Sequence, residues 1–318
     1  MAHTAIAPFD PSVLWAAAPA NNCRSSSARL HLPHFLSQRT AGHLLSPILP
    51  QKEKEEQEED SAPLRVADLG CGNGAWLCAL HDEFVQTGVS GVQLDGYDIN
   101  PSHFPAPDFL PSAVRLSELD VLKQPPAPEL EGVYDVVHVR AFASTLAPTD
   151  VAPLLATVRA LLKPGGYLQW EEAKADEFVI EPAAAGTPSE ACTAIARIIK
   201  AGQDARGRGR DDDTSALIDR LDQVVLDHGF DDVLVKVFPS RARRRQGQQD
   251  GNKGWTEDLL LVWGSWRTCF RPRARAPFAP VTRESFRALF RRAVAETEQG
   301  VGIRVGKITI AVGRKPLY

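Results

Sequence analysis

Short apolar segments alternate with amphipathic ones along the first half of this chain. The strand-like segments are Leu64–Asp68, Val92–Asp98, Val114–Leu119, Tyr134–Val139 and Tyr167–Glu171. Tyr134–Val139 is rich in β-branched residues, which favour strands, and helix-like segments such as Trp76–Val85 and Val151–Leu162 lie between the strand-like ones. Alternation of this kind is typical of a parallel sheet with helices on both faces. We therefore predict an α/β, Rossmann-like doubly wound, mostly parallel sheet.

The second half of the chain indicates a helical insertion between two further strands. Apolar residues at helical spacing predict helices over Glu190–Gly207, Thr214–Asp227, Thr256–Phe270 and Thr282–Gln299. We expect Val233–Phe238 and Lys307–Gly313 to pair as antiparallel strands at the sheet edge, which gives seven strands with the last antiparallel. The polar, basic segment Arg241–Gly254 predicts an exposed loop. The inserted helices would then lie over the crevice where parallel sheets bind ligands.

The residues before the first strand divide by composition and periodicity. Residues 1–28 are rich in Ala, Pro, Asn and Ser without a repeating pattern, which predicts a disordered tail. Apolar residues at helical spacing over 29–49 predict a helical arm, and the charge run at 51–60 is typical of a solvated linker. The predicted organisation is a tail (1–28), an arm with its linker (29–60), and one domain (61–318) with helical cap elements around 186–229 and 255–300.

Composition narrows the class of protein. The 318 residues are 43% hydrophobic with a formal net charge of -4, which suits one large domain and gives no electrostatic footprint for nucleic acid. The five cysteines are scattered without a C-x-x-C pair, which supports neither a disulfide framework nor a zinc site. No signal-peptide pattern or membrane-length apolar run is present. We expect a cytoplasmic protein without metal, nucleic-acid or membrane partners, and the oligomeric state stays open.

The strongest chemical signal is a glycine-rich loop that joins the first strand to a helix. Gly70, Gly72 and Gly74 alternate there, and glycine allows sharp bends and close approach of a ligand to the backbone. The following helix N-terminus offers free N–H groups. Gly70-x-Gly72-x-x-Ala75 also satisfies a loose dinucleotide fingerprint, so a nicotinamide cofactor stays open. Asp68 favours another ligand, because its carboxylate would repel a pyrophosphate and attract an ammonium group.

These motifs, in their order and spacing, resemble the class I S-adenosylmethionine-dependent methyltransferases, most closely the fungal secondary-metabolism group that modifies small natural products. The segments that carry the resemblance are Asp68–Gly74, Gly96–Ile99, Leu119–Val121, Tyr134–Arg140, Leu162–Glu172, Gly229–Phe230 and Ala311–Pro316. The arm resembles the family's pocket-covering helix through Arg29–Leu30, His34, Gly42, Leu44–Leu45 and Pro47–Ile48. Residues 1–28 and Ser240–Pro280 depart from the family pattern, which leaves the substrate open.

The resemblance implies a binding site for S-adenosyl-L-methionine. Asp98 would accept from the ribose hydroxyls, and Asp120 would accept from the adenine amino group while Val121 packs on the ring. Asp98 has an alternative as a polar residue that ends a strand, and Asp120 as a turn or cap residue. The expected cofactor-binding residues are Asp68, Gly70, Cys71, Gly72, Asn73, Gly74, Asp98, Ile99, Asp120, Val121 and Arg140.

Three side chains are candidates for acid–base chemistry on the methyl acceptor. His138 lies near the end of the fourth strand, and alternation directs it to the same face as Arg140; an imidazole can accept a proton near neutral pH. A satisfied core histidine is its alternative. Glu171 and Glu172 follow Trp170 at the end of the fifth strand, where a carboxylate can bind an amine or hold a water. Their alternative is a pair at a helix N-terminus.

The sequence thus predicts methyl transfer to a small hydrophobic metabolite at N, O or S, in secondary-metabolite biosynthesis. One alternative is a methyltransferase-like protein that binds cofactor but regulates or scaffolds, because no unmistakable base is present. A nicotinamide oxidoreductase is a third hypothesis. Nucleic-acid methylation is disfavoured because the basic run Arg241–Arg245 is short and typical of a solvated loop.

Overall fold

The structure is a computed structural model of the whole chain. It describes residues 23–47, 49, 62–123, 126–143, 146, 151–174, 177–207, 214–240, 249–265 and 282–318. Most of the predicted tail, the charged linker, the basic run 241–245 and residues 266–270 of a predicted helix lie outside these ranges.

A seven-stranded sheet forms the centre of the described molecule. Its strands are β1 (Leu64–Leu69), β2 (Val92–Asp98), β3 (Val114–Glu118), β4 (Tyr134–Arg140), β5 (Leu162–Ala173), β7 (Asp231–Pro239) and β9 (Lys307–Arg314). They lie in the order β3-β2-β1-β4-β5-β9-β7, and only β9 runs antiparallel to its two neighbours. The predicted doubly wound sheet with an antiparallel last strand is confirmed.

Helices cover both faces of this sheet, and a small second sheet accompanies them. The helices are α1 (Cys23–Ala41), α2 (Ala75–Thr87), α3 (Ala152–Leu161), α4 (Glu190–Gly207), α5 (Thr214–Asp219), α6 (Leu221–Asp227), α7 (Gln249–Ser265) and α8 (Arg283–Glu298). The second sheet pairs β6 (Phe178–Glu181) antiparallel with β8 (Gly302–Val305). Within the described chain, no helix is long and apolar enough to cross a bilayer.

Strand alternation sorts the apolar residues of the sheet into two cores. One face carries Val66 and Val136 and packs against the arm and cap helices through Leu36, Trp263 and Phe286. The other face carries residues such as Ala67 and Val137 and packs against α3 and α6. His138 and Arg140 have the parity of Val136, so the fold directs both toward the arm.

The strand order creates a crevice between β1 and β4. These strands are neighbours, but the chain leaves β1 toward β2 and leaves β4 toward β5. Loops that diverge at such a switch point leave a ligand crevice at the carboxyl ends of the strands. The glycine loop follows β1 and Arg140 ends β4, so both lie at this crevice.

The arm helix differs from its predicted bounds at both ends. α1 begins at Cys23, so the prediction of a disordered tail is wrong for residues 23–28. It ends at Ala41, where Gly42 adopts a φ of 80° and donates its N–H to the carbonyl of Gln38. Residues 43–47 are therefore not helical, and they contact β5 and β7 through Leu44, Ser46 and His43.

In the second half of the chain, several elements also differ from the bounds predicted from the sequence pattern. Arg220 interrupts the predicted helix Thr214–Asp227 and separates α5 from α6. Residues 249–254 belong to α7, so the predicted exposed loop is wrong there; Trp255 and Trp263 of this helix are buried and hold it in the core. The pair β6 and β8 was not predicted, because each strand has only four residues.

Candidate active site

The glycine loop forms a tight turn under the crevice. Gly70, Gly72 and Gly74 have φ of 71°, 59° and 77°, a region that residues with a Cβ adopt only at a cost. The N–H groups of Gly70 and Cys71 both donate to the carbonyl of Tyr97, at 2.8 and 3.0 Å. The loop is thereby tied to β2, and α2 begins directly after Gly74.

Asp98 connects the end of β2 to the same loop. One carboxylate oxygen accepts from the N–H of Gly72 at 2.8 Å, and the other accepts from the N–H of Asn100 at 2.9 Å. Each carboxylate oxygen can accept more than one hydrogen bond, so acceptor capacity remains. The neighbouring Ile99 is 63% exposed, which makes an apolar surface available beside Asp98.

Asp120 and Val121 lie beyond β3. Asp120 is exposed, and its carboxylate accepts from the N–H of Leu122 at 3.1 Å, so it has the turn geometry weighed as the alternative. Val121 is buried among the residues of the second core. Its carbonyl accepts from the hydroxyl of Thr157.

His138 is enclosed between two carboxylates. Register places Asp68 beside it on β1, where the distance from Asp68 Oδ1 to His138 Nδ1 is 2.8 Å; Glu171 Oε1 lies 3.6 Å from Nε2. The ring stacks on Trp76, with centroids 3.8 Å apart. Burial lowers the pKa of His138, but Asp68 and Glu171 outweigh burial and raise it. Nδ1 is thus bonded to Asp68, whereas Nε2 has no hydrogen-bond partner among the described residues.

Glu171 belongs to the polar layer between β5 and the arm. Its carboxylate accepts from Gln169 Nε2 at 2.6 Å. Burial raises the pKa of Glu171, but His138, Arg140 and Gln169 together lower it below the usual value. Gln169 also accepts from the N–H of Ser46 and donates to the carbonyl of Leu44. The arm is thus attached to β5 beside the His138 cluster.

Glu172 points to the opposite side of β5. A single oxygen, Oε1, accepts from the N–H groups of Phe142 and Ala143, both at 2.8 Å, and from Trp170 Nε1 at 2.7 Å. Burial raises the pKa of Glu172 to about 7 despite these donors. The two glutamates are therefore not a pair at a helix N-terminus, because they lie inside β5, where alternation separates their side chains.

The loop that Glu172 holds covers the glycine turn. Ala141 has a φ of 53°, which is costly for a residue with a Cβ. The Phe142 ring lies against Gly70, where an added Cβ would come within 2.9 Å of it. The loops after β1 and β4 are therefore in direct contact across the switch point.

Cys71 and Asn73 have local roles in the loop. Cys71 is buried, and burial, followed by Asp68 and Asp98, holds the pKa of its thiol far above the usual range. A neutral buried thiol is a packing group and not a nucleophile. Asn73 Oδ1 accepts from the N–H of Ala75 at 3.2 Å, at the start of α2. Within the described ranges, no cluster of His, Cys, Asp and Glu is suited to a metal ion.

Sequence reasoning missed several members of this site. The arm residue His34 accepts from Arg140, with 3.1 Å between His34 Nδ1 and Arg140 Nη1. Phe142, Gln169 and the stacking of Trp76 on His138 were also not assigned. Phe142 and Gln169 lie within or beside the segments used as motifs, so proximity to those motifs was the available signal. His34 lies far away in the chain; it was named in the arm that resembles the family's pocket-covering helix but was given no role in the site.

The site fits S-adenosylmethionine in its donor and acceptor chemistry. A carboxylate with spare acceptor capacity lies at the end of β2, and an exposed apolar residue follows it. The loop under the crevice has the backbone conformation that close approach of a ligand requires. The residues present are therefore compatible with the ribose and base of an adenosyl group.

Comparison with known proteins agrees with this reading. Residues 67–168 match the family described as "Methyltransferase domain". The chain is 40% identical over 118 residues to "Methyltransferase grgD" of a Penicillium species, covering 36% of this chain and 40% of that protein. It is 29% identical over 152 residues to "N-methyltransferase tcpN" of Claviceps purpurea, covering 47% and 49%. The matches thus span less than half the length of these curated relatives.

Among solved structures, the chain is similar to phosphoethanolamine N-methyltransferase 2 of Haemonchus contortus in complex with S-adenosyl-L-methionine. The identity is 14%, the TM-score is 0.40, and the match covers 80% of this chain and 49% of that chain. The fold assignment rests on this chain's own strand order. Residues 67–168 thus match a methyltransferase domain family, and the strand order of the sheet is consistent with that match.

Proposed function

We propose that this protein transfers a methyl group from S-adenosylmethionine to a small hydrophobic metabolite. The observation that carries the proposal is the junction of the glycine loop with Asp98 at the switch point of the sheet, where Asp98 accepts from the N–H of Gly72. Both elements lie within the matched family segment. The cofactor supplies an electrophilic methyl group on a sulfonium, and the protein positions the acceptor and excludes water.

In this proposal, residues at the strand ends contact different parts of the cofactor. Asp98 accepts from the ribose hydroxyls with the lone pairs left by Gly72 and Asn100, and Ile99 packs on the adenine. Asp120 contacts the adenine amino group with the carboxylate oxygen not used by Leu122. The remaining proposed contacts near the methionine end are Asp68, Gly70, Cys71, Gly72, Asn73, Gly74 and Arg140, with Val121 behind the base.

The three acid–base candidates receive separate roles. His138 orders the base of the site, because its ring is fully buried, bonded to Asp68 through Nδ1 and stacked on Trp76. Glu171 stays ionised and balances His138 and Arg140. Glu172 positions the loop at Phe142 through its three hydrogen bonds. Methyl transfer then depends on alignment and desolvation, which suits an acceptor that is already nucleophilic.

A nitrogen acceptor is the first choice under this proposal. A neutral amine has a lone pair and needs no base before it attacks the methyl group, whereas a phenol or thiol must first lose a proton. Two of the matched relatives, from Claviceps purpurea and Clonostachys rogersoniana, are named as N-methyltransferases. We therefore propose a small apolar amine as the acceptor.

Calorimetric titration with S-adenosylmethionine, S-adenosylhomocysteine and NAD tests the cofactor assignment. We expect the two sulfur compounds to bind, NAD not to bind, and Asp98→Ala to lose at least tenfold in affinity. Asp222→Ala, which removes an exposed carboxylate at the start of α6, is the matched control. Binding of NAD, or of none of the three, would refute the proposal.

Transfer of radiolabelled methyl groups to a panel of apolar amines, phenols and thiols tests the activity. Turnover on amines is the expected result. The alternative of a cofactor-binding protein without catalysis is favoured by one observation, the complete burial of His138 with its Nδ1 bonded to Asp68. Tight cofactor binding without turnover on any member of the panel would support that alternative.

A further inference from the structure

His34 is a buried histidine whose proton position follows from its partner. It lies on α1 with 2% of its surface exposed, and its Nδ1 is 3.1 Å from Arg140 Nη1. A guanidinium can only donate, so Nδ1 accepts and the proton of the neutral ring is on Nε2. Burial, followed by Arg140 and His138, lowers the pKa of His34 to about 3, which keeps the ring neutral at physiological pH.

The Nε2–H of His34 has no acceptor among the described residues. A buried donor without a partner costs roughly 1–3 kcal/mol, and such groups are rare enough to require an explanation. The carboxylates of Asp68 and Glu171 have other partners and form no hydrogen bond with this N–H. Asp68 is bonded to His138, and Glu171 is bonded to Gln169. The donor is therefore available for a group that the protein does not itself supply.

The position of this donor relates it to the proposed reaction. Arg140 ends β4, and two residues later Phe142 covers Gly70 of the cofactor loop. α1 contacts the end of β4 through His34, and the turn that follows α1 is attached to β5 through Gln169. An N–H donor beside a guanidinium is a suitable pair for an anionic oxygen, because both groups donate and the pair carries positive charge.

We propose that His34 Nε2–H and Arg140 form a carboxylate-binding site between the arm and the end of β4. This inference rests on the proposed function. The carboxylate has two possible sources, the amino-acid part of the cofactor and an acidic group on the methyl acceptor. In either case the arm contributes a direct contact to a bound molecule in addition to its covering role.

The test removes the donor and compares ligands with and without a carboxylate. His34→Phe retains a ring in the buried position but deletes the N–H, and His34→Gln retains both an acceptor for Arg140 and an N–H donor. Wild type and variants are titrated with S-adenosylhomocysteine and with 5′-methylthioadenosine, which lacks the amino-acid part. Benzoate is then titrated into each protein saturated with S-adenosylhomocysteine.

If the carboxylate belongs to the cofactor, His34→Phe should lower the affinity for S-adenosylhomocysteine at least tenfold and leave the affinity for 5′-methylthioadenosine unchanged. His34→Gln should then retain part of the affinity for S-adenosylhomocysteine. A carboxylate from the acceptor predicts unchanged affinity for both adenosyl compounds, with benzoate bound by the loaded wild type and not by His34→Phe. His228→Phe is the matched control. It alters a histidine at the end of α6, whose Nδ1 contacts the carbonyl of Val224, and is expected to behave as wild type.

The inference is overturned if wild type and His34→Phe bind S-adenosylhomocysteine equally and show no difference with benzoate. It is also overturned if His34→Phe lowers the affinity for 5′-methylthioadenosine as much as that for S-adenosylhomocysteine, because the loss of affinity would then not depend on a carboxylate. Failure of the wild type to bind either adenosyl compound is a different result, since it refutes the proposed function itself.

Discussion

At the scale of single residues, neighbours in the chain take different roles because a strand alternates its side chains. Glu171 faces the arm with Gln169, whereas Glu172 shares the other face with Trp170 and holds the backbone at Phe142 and Ala143. The same alternation directs His138 and Arg140 together toward the arm. A pattern of two acidic residues therefore predicts a carboxylate site but cannot assign both carboxylates to one function.

Gly70 tests the contact between the two crevice loops. Gly70→Ala is expected to lower the free energy of unfolding by about 1–3 kcal/mol from its positive φ, with a further loss from contact with Phe142 at 2.9 Å. Phe142→Ala in the Gly70→Ala background should recover the stability lost through this contact. Urea unfolding of the wild type, both single variants and the double variant measures the coupling energy. Gly88→Ala is the control, because Gly88 has a similar φ of 74° but open space around its Cβ position. Strict additivity at Gly70 would show that the contact is absent.

At the scale of elements, the arm is held by polar side chains of the sheet as well as by apolar packing. Gln169 of β5 accepts from the N–H of Ser46 and donates to the carbonyl of Leu44. Leu36 and Leu44 add apolar contacts to the core on that face. The arm therefore belongs to the described domain, although a charged segment separates it from β1 in the sequence.

Replacement of Gln169 should loosen the arm selectively. Gln169→Leu removes the side-chain partner of Ser46 and Leu44, at a cost of roughly 1–3 kcal/mol for each buried group. We expect faster amide hydrogen exchange over residues 31–46, measured by mass spectrometry, with β1 and β4 still protected. Thr157→Val deletes a buried hydrogen bond to Val121 in the other core and should leave the arm unchanged. Equal exchange in the arm of both variants would contradict the prediction.

At the scale of the whole molecule, stability depends on pH through several buried groups of opposite effect. His138 has a raised pKa, so its contribution is complete below the unfolded pKa near 6.5 and is lost as pH rises through the folded value. His34 has a pKa lowered to about 3, so its burial costs stability as pH falls below 6.5. Glu172 has a pKa raised to about 7, so its burial costs stability as pH rises above 4.5.

Glu172→Gln separates the pH-dependent contribution of Glu172 to stability from those of the two histidines. The amide keeps an oxygen for the donors at Phe142, Ala143 and Trp170 but has no charge to bury. Relative to wild type, its free energy of unfolding should rise between pH 4.5 and 7 and then level off, by roughly 3 kcal/mol at 1.4 kcal/mol per pKa unit. Chemical unfolding across this pH range measures the difference. Glu257→Gln, on the exposed surface of α7, should show no such rise, and a pH-independent difference for Glu172→Gln would be the contrary result.

The amino-acid sequence by itself determined the local elements and the chemistry at the ends of the strands. Period-two and helical patterns depend on neighbouring residues, so β2 and α4 coincide with their predicted bounds. Positive φ favours glycine, so the glycines at 70, 72 and 74 allow the loop to be recognised from the sequence. The family resemblance rests on these same local segments.

Tertiary structure alone decided which distant residues meet. The contact of His34 with Arg140 joins residues 106 positions apart, and that of Asp68 with His138 joins residues 70 apart. Such pairs depend on strand order and register, which no local periodicity encodes. The short pair β6 and β8 exists for the same reason, because each strand is stabilised by a partner far away in the chain. Residue types at the site are thus readable from sequence, whereas their pairing, burial and charge state depend on the fold.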